Sequence, residues 1–267
     1  MEAALVLREI ALIRKELPKV GTRKLQYLLK DFLAQHRIKM GRDALFELLM
    51  EEGLLVKKRR RKVSTTNSRH RFRKYPNLVR DLDLVRSEQV WVCDITYIAL
   101  QESFCYLSLI TDAYSKKIVG YNLEPTLETE GCIKALAMAL NTRSKAATHK
   151  LIHHSDRGIQ YCSTAYVQLL LASHVSVSMT EKSDPYENAV AERVNGILKD
   201  EFDLGRTFQN IHQANSVVQE SIALYNGKRP HSSIGYLTPD KAHTEKARFK
   251  KLWKTYRKKA VNENKDG

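Results

Sequence analysis

Three carboxylates, Asp94, Asp156 and Glu192, stand in contexts that suit hard divalent cations, with 35 residues between the second and the third. Two Mg²⁺ (or Mn²⁺) ions about 3.5–4 Å apart can clamp the attacking and leaving oxygens of a phosphodiester, and such ions take oxygen ligands rather than sulfur or imidazole. Taken singly, each residue reads as solvated surface, because the chain carries 30 Asp and Glu residues and most such side chains face water. What points to chemistry is their joint placement: one in mid-strand, one at a strand end, one on a helix.

The elements that must position them can be read from local pattern. Asp94 lies in Gln89–Ile98, a β-branched and aromatic run with no breaker, expected as a central strand buried on both faces. A bare Asp there requires a cation or several donors. Asp156 follows the apolar run Leu151–His154 and precedes Arg157-Gly158, so it sits where a strand gives way to a loop, the usual place for ligand sites in open α/β sheets. Glu192 falls among good helix formers in 188–199, after a turn at Asp184-Pro185. Asn188, Glu192, Asn195 and Lys199 recur at helical spacing, which sets a carboxylate, two amides and a cation on one face toward the cleft. Adjacent His153 and His154 point to opposite faces of their strand; one is expected to pack and the other to orient the Asp156 loop. Asp112 is expected to cap the turn through Ala113–Ser115.

From Gln89 the order reads strand, strand (104–110), strand (117–122), helix (128–141), strand (151–154), helix (163–173), strand (175–179), then the Glu192 helix. An antiparallel meander feeding βαβ units is the succession of a ribonuclease-H-like α/β fold.

The words Trp91-Val-Cys-Asp94-Ile-Thr-Tyr97, His154-Ser-Asp156-Arg-Gly158 with Gln160-Tyr161, and Glu187-Asn-Ala189 through Glu192 to Leu198-Lys199 resemble insertion-sequence transposases related to retroviral integrases, of the second-reading-frame (OrfB) type. Tyr225-Asn226, Arg229-Pro-His231 and Gly235–Pro239 resemble the same family's C-terminal signature, so the likeness spans roughly residues 5–240. It implies that Asp94, Asp156 and Glu192 are the catalytic, metal-binding triad with two Mg²⁺ or Mn²⁺ ions, and that Lys199 contacts DNA. It implies a transposase that uses first water and then a 3′-hydroxyl to attack phosphodiesters, a homo-oligomer on DNA that holds element ends and target, and a possible OrfA partner or fusion from an upstream frame. A ribonuclease-H-like nuclease and a non-catalytic DNA-binding regulator remain open beside it.

Charge agrees with a polyanion partner: 45 Lys and Arg against 30 Asp and Glu give +15. Four scattered cysteines, Cys93, Cys105, Cys132 and Cys162, suggest no disulfide framework or zinc site, and Glu2 and Arg8 interrupt any leader-like apolar stretch. No run approaches the ~18 apolar residues of a membrane span. The expectation is a cytoplasmic, nucleoid-associated protein without membrane contact.

Residues 1–56 read as a helical, helix-turn-helix-like unit whose third helix exposes Asp43, Glu47, Glu51 and Glu52, a poor face for a major groove. Residues 57–85 form a linker with ten Lys or Arg in the eighteen positions 57–74, a density that favours phosphate contact. The core is expected over 86–204 and a helical basic region over 205–267, with a final helix at 247–259. Candidate DNA contacts are therefore Asn188, Arg157 and Lys199 beside the triad, Lys58, Arg59, Arg60, Arg61, Arg71 and Arg73 in the linker, and Lys228 and Arg229 in the C-terminal turn.

Overall fold

The computed structural model describes residues 2–56, 71–143, 149–181 and 188–245. The Asp184-Pro185 turn, Lys58, Arg59, Arg60, Arg61 and the helix expected at 247–259 lie outside the described residues.

At the centre is a mixed sheet of order β3-β2-β1-β4-β5. β1 (Val90–Leu100), β2 (Phe104–Asp112) and β3 (Ile118–Glu124) form an antiparallel meander. β4 (Leu151–Ser155) and β5 (Val175–Met179) add in parallel on the other side of β1. The two-residue β6 (Thr207–Phe208) pairs with the far end of β1, a strand too short for pattern to reveal. The parallel connections need crossovers, supplied by α5 (Thr129–Thr142) and by α6 (Ile159–Cys162) with α7 (Thr164–Ala172). Ser163 caps α7 through the Tyr166 N–H.

The crossover helices cover one face of the sheet, burying Trp91, Cys93, Ile110, Val119, Leu136, Tyr166, Leu170 and Val177 together. On the other face lie α8 (Ala189–Glu201) and α9 (Ile211–Gly227), whose Val194, Ile197, Leu198, Val218 and Ile222 share a core with Ile98, Leu107 and Leu109. α10 (Pro239–Thr244), with Pro239 in its first turn and Thr238 as cap, packs against α9.

α5 approaches β3 closely because Gly120 offers no side chain. A Cβ there would lie 2.2 Å from the Ala135 carbonyl oxygen and 2.8 Å from the Ala139 Cβ. Gly120→Ala should therefore force the helix off the sheet and cost at least the ~1–3 kcal/mol of core overpacking; urea denaturation against the parent measures it, and an unchanged midpoint would refute the close contact.

The N-terminal segment folds as α1 (Glu2–Glu16), α2 (Thr22–Leu28), α3 (Lys30–Gln35) and α4 (Arg42–Glu51). Between Gly21 and Gly41 the chain forms two short helices, α2 and α3, parted at Leu29 although no Gly or Pro marks the spot. Buried Val6, Ile10, Leu25, Leu29, Leu45 and Leu49 join the same core cluster as α8 and α9. Around that apolar seam Lys24 pairs with Glu201, Lys19 with Asp203, and Tyr27 stacks on Tyr236 at 4.9 Å. Asp43, Glu47, Glu51 and Glu52 are exposed on α4 and just beyond it. After the basic stretch the chain runs beside β5: the Met179 N–H donates to the Pro76 carbonyl and the Leu78 N–H to Ser178 Oγ at 2.9 Å, which covers an otherwise open sheet edge.

Candidate active site

β1 is buried over Val90–Cys93 and half-buried or exposed from Asp94 to Tyr97, so its exposure changes at the carboxylate. Val92 pairs with His154 on β4; two residues further along these parallel strands stand Asp94 and Asp156. Register alone brings the two carboxylates to the same level, where β4 ends and the strands part.

Asp94 is held from two sides. Its Oδ1 accepts the Ile95 N–H at 2.9 Å and its Oδ2 accepts Asn195 Nδ2 at 2.8 Å. Burial first, and then the charge of Asp156, push its carboxyl up to about 7; the Asn195 and Ile95 bonds oppose this, and the charge of Glu192 adds to it. Three carboxylates from a strand, a loop and a helix thus share one electrostatic field. Glu192 lies exposed in the first turn of α8, and Asp156 is half-buried.

The Asp156 loop is organised by its own backbone. The Gly158 N–H donates to Asp156 Oδ1 at 2.9 Å and Ser155 Oγ donates to the Asp156 carbonyl. A Cβ on Gly158 would sit 3.0 Å from that same Oδ1, which gives the glycine a role that sequence spacing left unstated. His153 and His154 are both buried: His153 Nε2 lies 2.8 Å from Tyr166 Oη and 3.1 Å from Cys93 Sγ, and His154 Nδ1 lies 2.8 Å from Ser178 Oγ. Burial pulls His153 down to about 3, with His154 adding to the effect, so it stays neutral within the core.

α8 presents its polar residues to β1. Asn188, at its N-cap, donates to the Cys93 carbonyl at 3.0 Å; Asn195 holds Asp94; Lys199 Nζ stands 4.4 Å over the Tyr97 ring. Two of the residues expected to contact DNA are turned inward. Asn188 is buried and its amide is committed to β1, a latch for the helix rather than a surface for DNA. Arg229 is 1% exposed and gives Glu201 two bonds, from Nε at 2.8 Å and Nη2 at 2.6 Å, so its fork is spent inside the fold. Arg157 is half-buried beside Asp156, whereas Lys228, Arg71 and Arg73 are exposed.

Carboxylates alone, without thiol or imidazole, form a donor set suited to magnesium or manganese, and a cation would favour the ionised form of the Asp94 carboxyl, which burial first and the charge of Asp156 second now disfavour. As a set, the carboxylate oxygens of Asp94, Asp156 and Glu192 do not lie within 4.8 Å of one another. The described residues that do gather so closely are Glu88, Asp112 and His243, level with Trp91 on the other side of β1. Asp112 there caps its turn as expected: Oδ1 accepts the Ser115 N–H and hydroxyl, and Oδ2 accepts the Glu88 N–H.

The sheet is mixed and six-stranded, with acidic groups where its central strands β1 and β4 part. Residues 85–185 match the family model described as integrase core domain, and residues 173–239 match a second model of the same description. A protein described as the uncharacterized 31 kDa protein of insertion element IS600, from Shigella sonnei, is 41% identical over 82% of this chain and 79% of its own length. The transposase for insertion sequence element IS629, also from Shigella sonnei, is 31% identical over 81% of this chain and 72% of its own. Among solved structures, a chain of the simian T-cell lymphotropic virus intasome superposes with a TM-score of 0.51 at 16% identity, over 90% of this chain and 79% of that one, a likeness of fold. The chain belongs to the insertion-sequence transposases with an integrase core. No helix among the described residues is long and apolar enough to cross a membrane.

Proposed function

We propose that the chain cleaves DNA at the ends of an insertion sequence and joins those ends to a target, with Asp94, Asp156 and Glu192 as its catalytic carboxylates. The observation that carries this reading is placement: parallel register sets Asp94 and Asp156 level where β1 and β4 part, and α8, bonded to Asp94 through Asn195, carries Glu192 in its first turn. Divalent ions held there, two in the fullest form of the reading, supply nucleophile activation and charge neutralisation at the phosphodiester. The chain's own part is to hold the ligands still. Asn195 and the Ile95 N–H fix both oxygens of Asp94, and the Gly158 N–H fixes one oxygen of Asp156. Such prior placement keeps reorganisation out of the reaction step.

DNA is the partner that the +15 charge fits, and Lys199, Arg157, Lys228, Arg71 and Arg73 are the described cations proposed to grip its backbone. Joining two ends implies at least two copies of the chain on DNA, and an upstream-frame OrfA protein or fusion would supply recognition of the ends. A chromosomal substrate puts the work in the bacterial cytoplasm, at the nucleoid.

Purified protein given Mg²⁺ or Mn²⁺ and labelled DNA bearing the element's end tests the reading. Nicking and strand transfer are expected from the parent and not from Glu192→Gln, with DNA affinity nearly equal in the two. Cleavage by Glu192→Gln at the parental rate would remove that residue from the triad, and a parent that cuts only RNA–DNA hybrids would make the protein a nuclease of another kind.

A further inference from the structure

Just past the carboxylates, two aromatic rings stand in the open. Tyr97 is 40% exposed and Phe104 53% exposed, packed edge to face with centroids 5.6 Å apart. Both project from one face of the sheet, since Phe104 pairs with Ala99, two residues beyond Tyr97. Among the described residues, Tyr97 also occupies the stretch of β1 that pairs with no strand on the β4 side, because β4 pairs with Val90–Val92 and β6 with Ala99 and Leu100. The rings therefore border the same gap in the sheet as Asp94. Lys199 reaches over Tyr97 from α8, with Nζ 4.4 Å from the ring centroid.

Exposed aromatic rings with a cation beside them are the parts from which proteins build stacking sites for single-stranded nucleic acid. We propose that Tyr97, Phe104 and Lys199 form a platform that stacks one unpaired nucleobase of the DNA being processed, while Lys199 meets the neighbouring phosphate; this rests on the DNA-processing function proposed above. Position sets which base. Tyr97 lies three residues beyond Asp94, about 10 Å along an extended strand but on its opposite face, so DNA reaches both only around the open edge of β1, a path of about three nucleotide rises. A base within about three positions of the scissile phosphate can reach the rings.

The size of the patch argues for a base over a second protein. Its exposed rings are these two, with half-buried Tyr106 opposite Tyr97, and exposed Gln101, Glu102 and Ser103 bound it at the β1–β2 turn, whereas a stable protein interface takes about 800 Å² from each partner. The chemistry agrees, because a stacking surface with a cation at its rim offers a nucleotide both attraction to its ring and attraction to its phosphate. Opening a base pair at the element's end would cost stacking and pairing energy, and the platform would recover part of it.

The test is a coupling measurement between protein ring and DNA base. Duplexes bearing the element's end, each lacking one base within three positions of the cleavage point, are titrated against Glu192→Gln protein by fluorescence anisotropy, so that the DNA remains uncut. At one or two positions the loss of a base is expected to weaken binding between about fivefold and about a hundredfold. In the Tyr97→Ala and Phe104→Ala backgrounds that same loss should have little effect, and Tyr97→Trp should restore it. If removal of the base and removal of the ring weaken binding independently at every position, the platform does not exist. Variants that bind DNA normally but sediment as smaller species would make the patch a contact between copies and overturn the proposal as well. Failure of the parent to cut or bind DNA at all would instead overturn the proposed function.

Discussion

At pH 8 and without divalent ions, Asp94→Asn should melt at a higher temperature than the parent while cutting no DNA. The sign follows from the raised Asp94 carboxyl, which sits at about 7 in the fold against 3.8 ordinarily. Below about pH 4 both folded and unfolded chains hold the proton, and nothing is lost. Between about pH 4 and pH 7 the unfolded chain releases it first, so folding stability falls as pH rises, and above about 7 the whole penalty is present. A shift of that size corresponds to at most about 4 kcal/mol, less to the extent that water reaches the half-buried group. The asparagine carries no such penalty. Its oxygen can keep the Ile95 N–H, and its amide can face Asn195 Oδ1, a buried acceptor without a hydrogen-bond partner, once the Asn195 amide turns over. A gain of about 2 kcal/mol would raise the melting temperature by roughly 4–8 °C in a chain of this size. Melting curves at about pH 4 and about pH 8 decide the matter: the gap should be small at the acid value and wide at the alkaline one, and added Mg²⁺ should narrow the latter by stabilising the parent. A gap that does not widen with pH would mean that neither burial nor Asp156 raises the Asp94 carboxyl in the fold, and the case for a shared cation site would lose one of its supports.

Much of the scaffold for that site is legible in the sequence because short-range rules govern it. β5 spans Val175–Met179 as expected, and most other core elements shift by only one or two residues at either end, since alternation and capping are local. The face of α8 is legible for the same reason: spacing aligns Asn188, Glu192, Asn195 and Lys199 whatever they touch. What they touch is another matter. That Asn195 would find Asp94, 101 residues earlier in the chain, depends on how a helix lies across a sheet, and no window of sequence contains it. The break at Leu29 and the small β6 fail for a related reason, because tertiary packing rather than a Gly or Pro decides them. The histidines illustrate the limit from the other side. Alternation separates their faces correctly, yet both faces are buried, because helices cover one side of β4 and neighbouring structure the other. Asn188 and Arg229 invert the usual inference. Polar residues beside catalytic motifs or in a basic turn read as solvent-facing, and here each has a distant partner that draws it inward.

Arg229→Ala should therefore destabilise the fold by about 3–5 kcal/mol, the cost of leaving a buried ion without its partner. Glu201 is the ion in question. Burial alone would raise its carboxyl, but the bonds and charge of Arg229, joined by Lys24, more than offset that and hold it below the usual carboxylate range. Lys24 stands 3.3 Å from Glu201 Oε1 and cannot replace a fork that binds both oxygens. Arg229→Lys should accordingly fall between parent and Ala variant, and the double change with Glu201→Ala should cost less than the two single changes added together. Because the Glu201 carboxyl is depressed in the fold, this stabilisation is present above about pH 4.5 and fades as pH falls through the folded value, so parent and Arg229→Ala should converge in acid. Urea titrations at pH 7 and pH 4 measure both effects. Lys228, exposed and 3.5 Å from Glu16, provides the contrast: Lys228→Ala should leave stability within about 0.5 kcal/mol of the parent and instead reduce the salt dependence of DNA binding. If Arg229→Ala kept the parental urea midpoint and lost DNA affinity, its guanidinium would have to leave Glu201 for the phosphate backbone when DNA binds, and the seam joining α2, α8 and the C-terminal turn would be a joint that opens on the substrate.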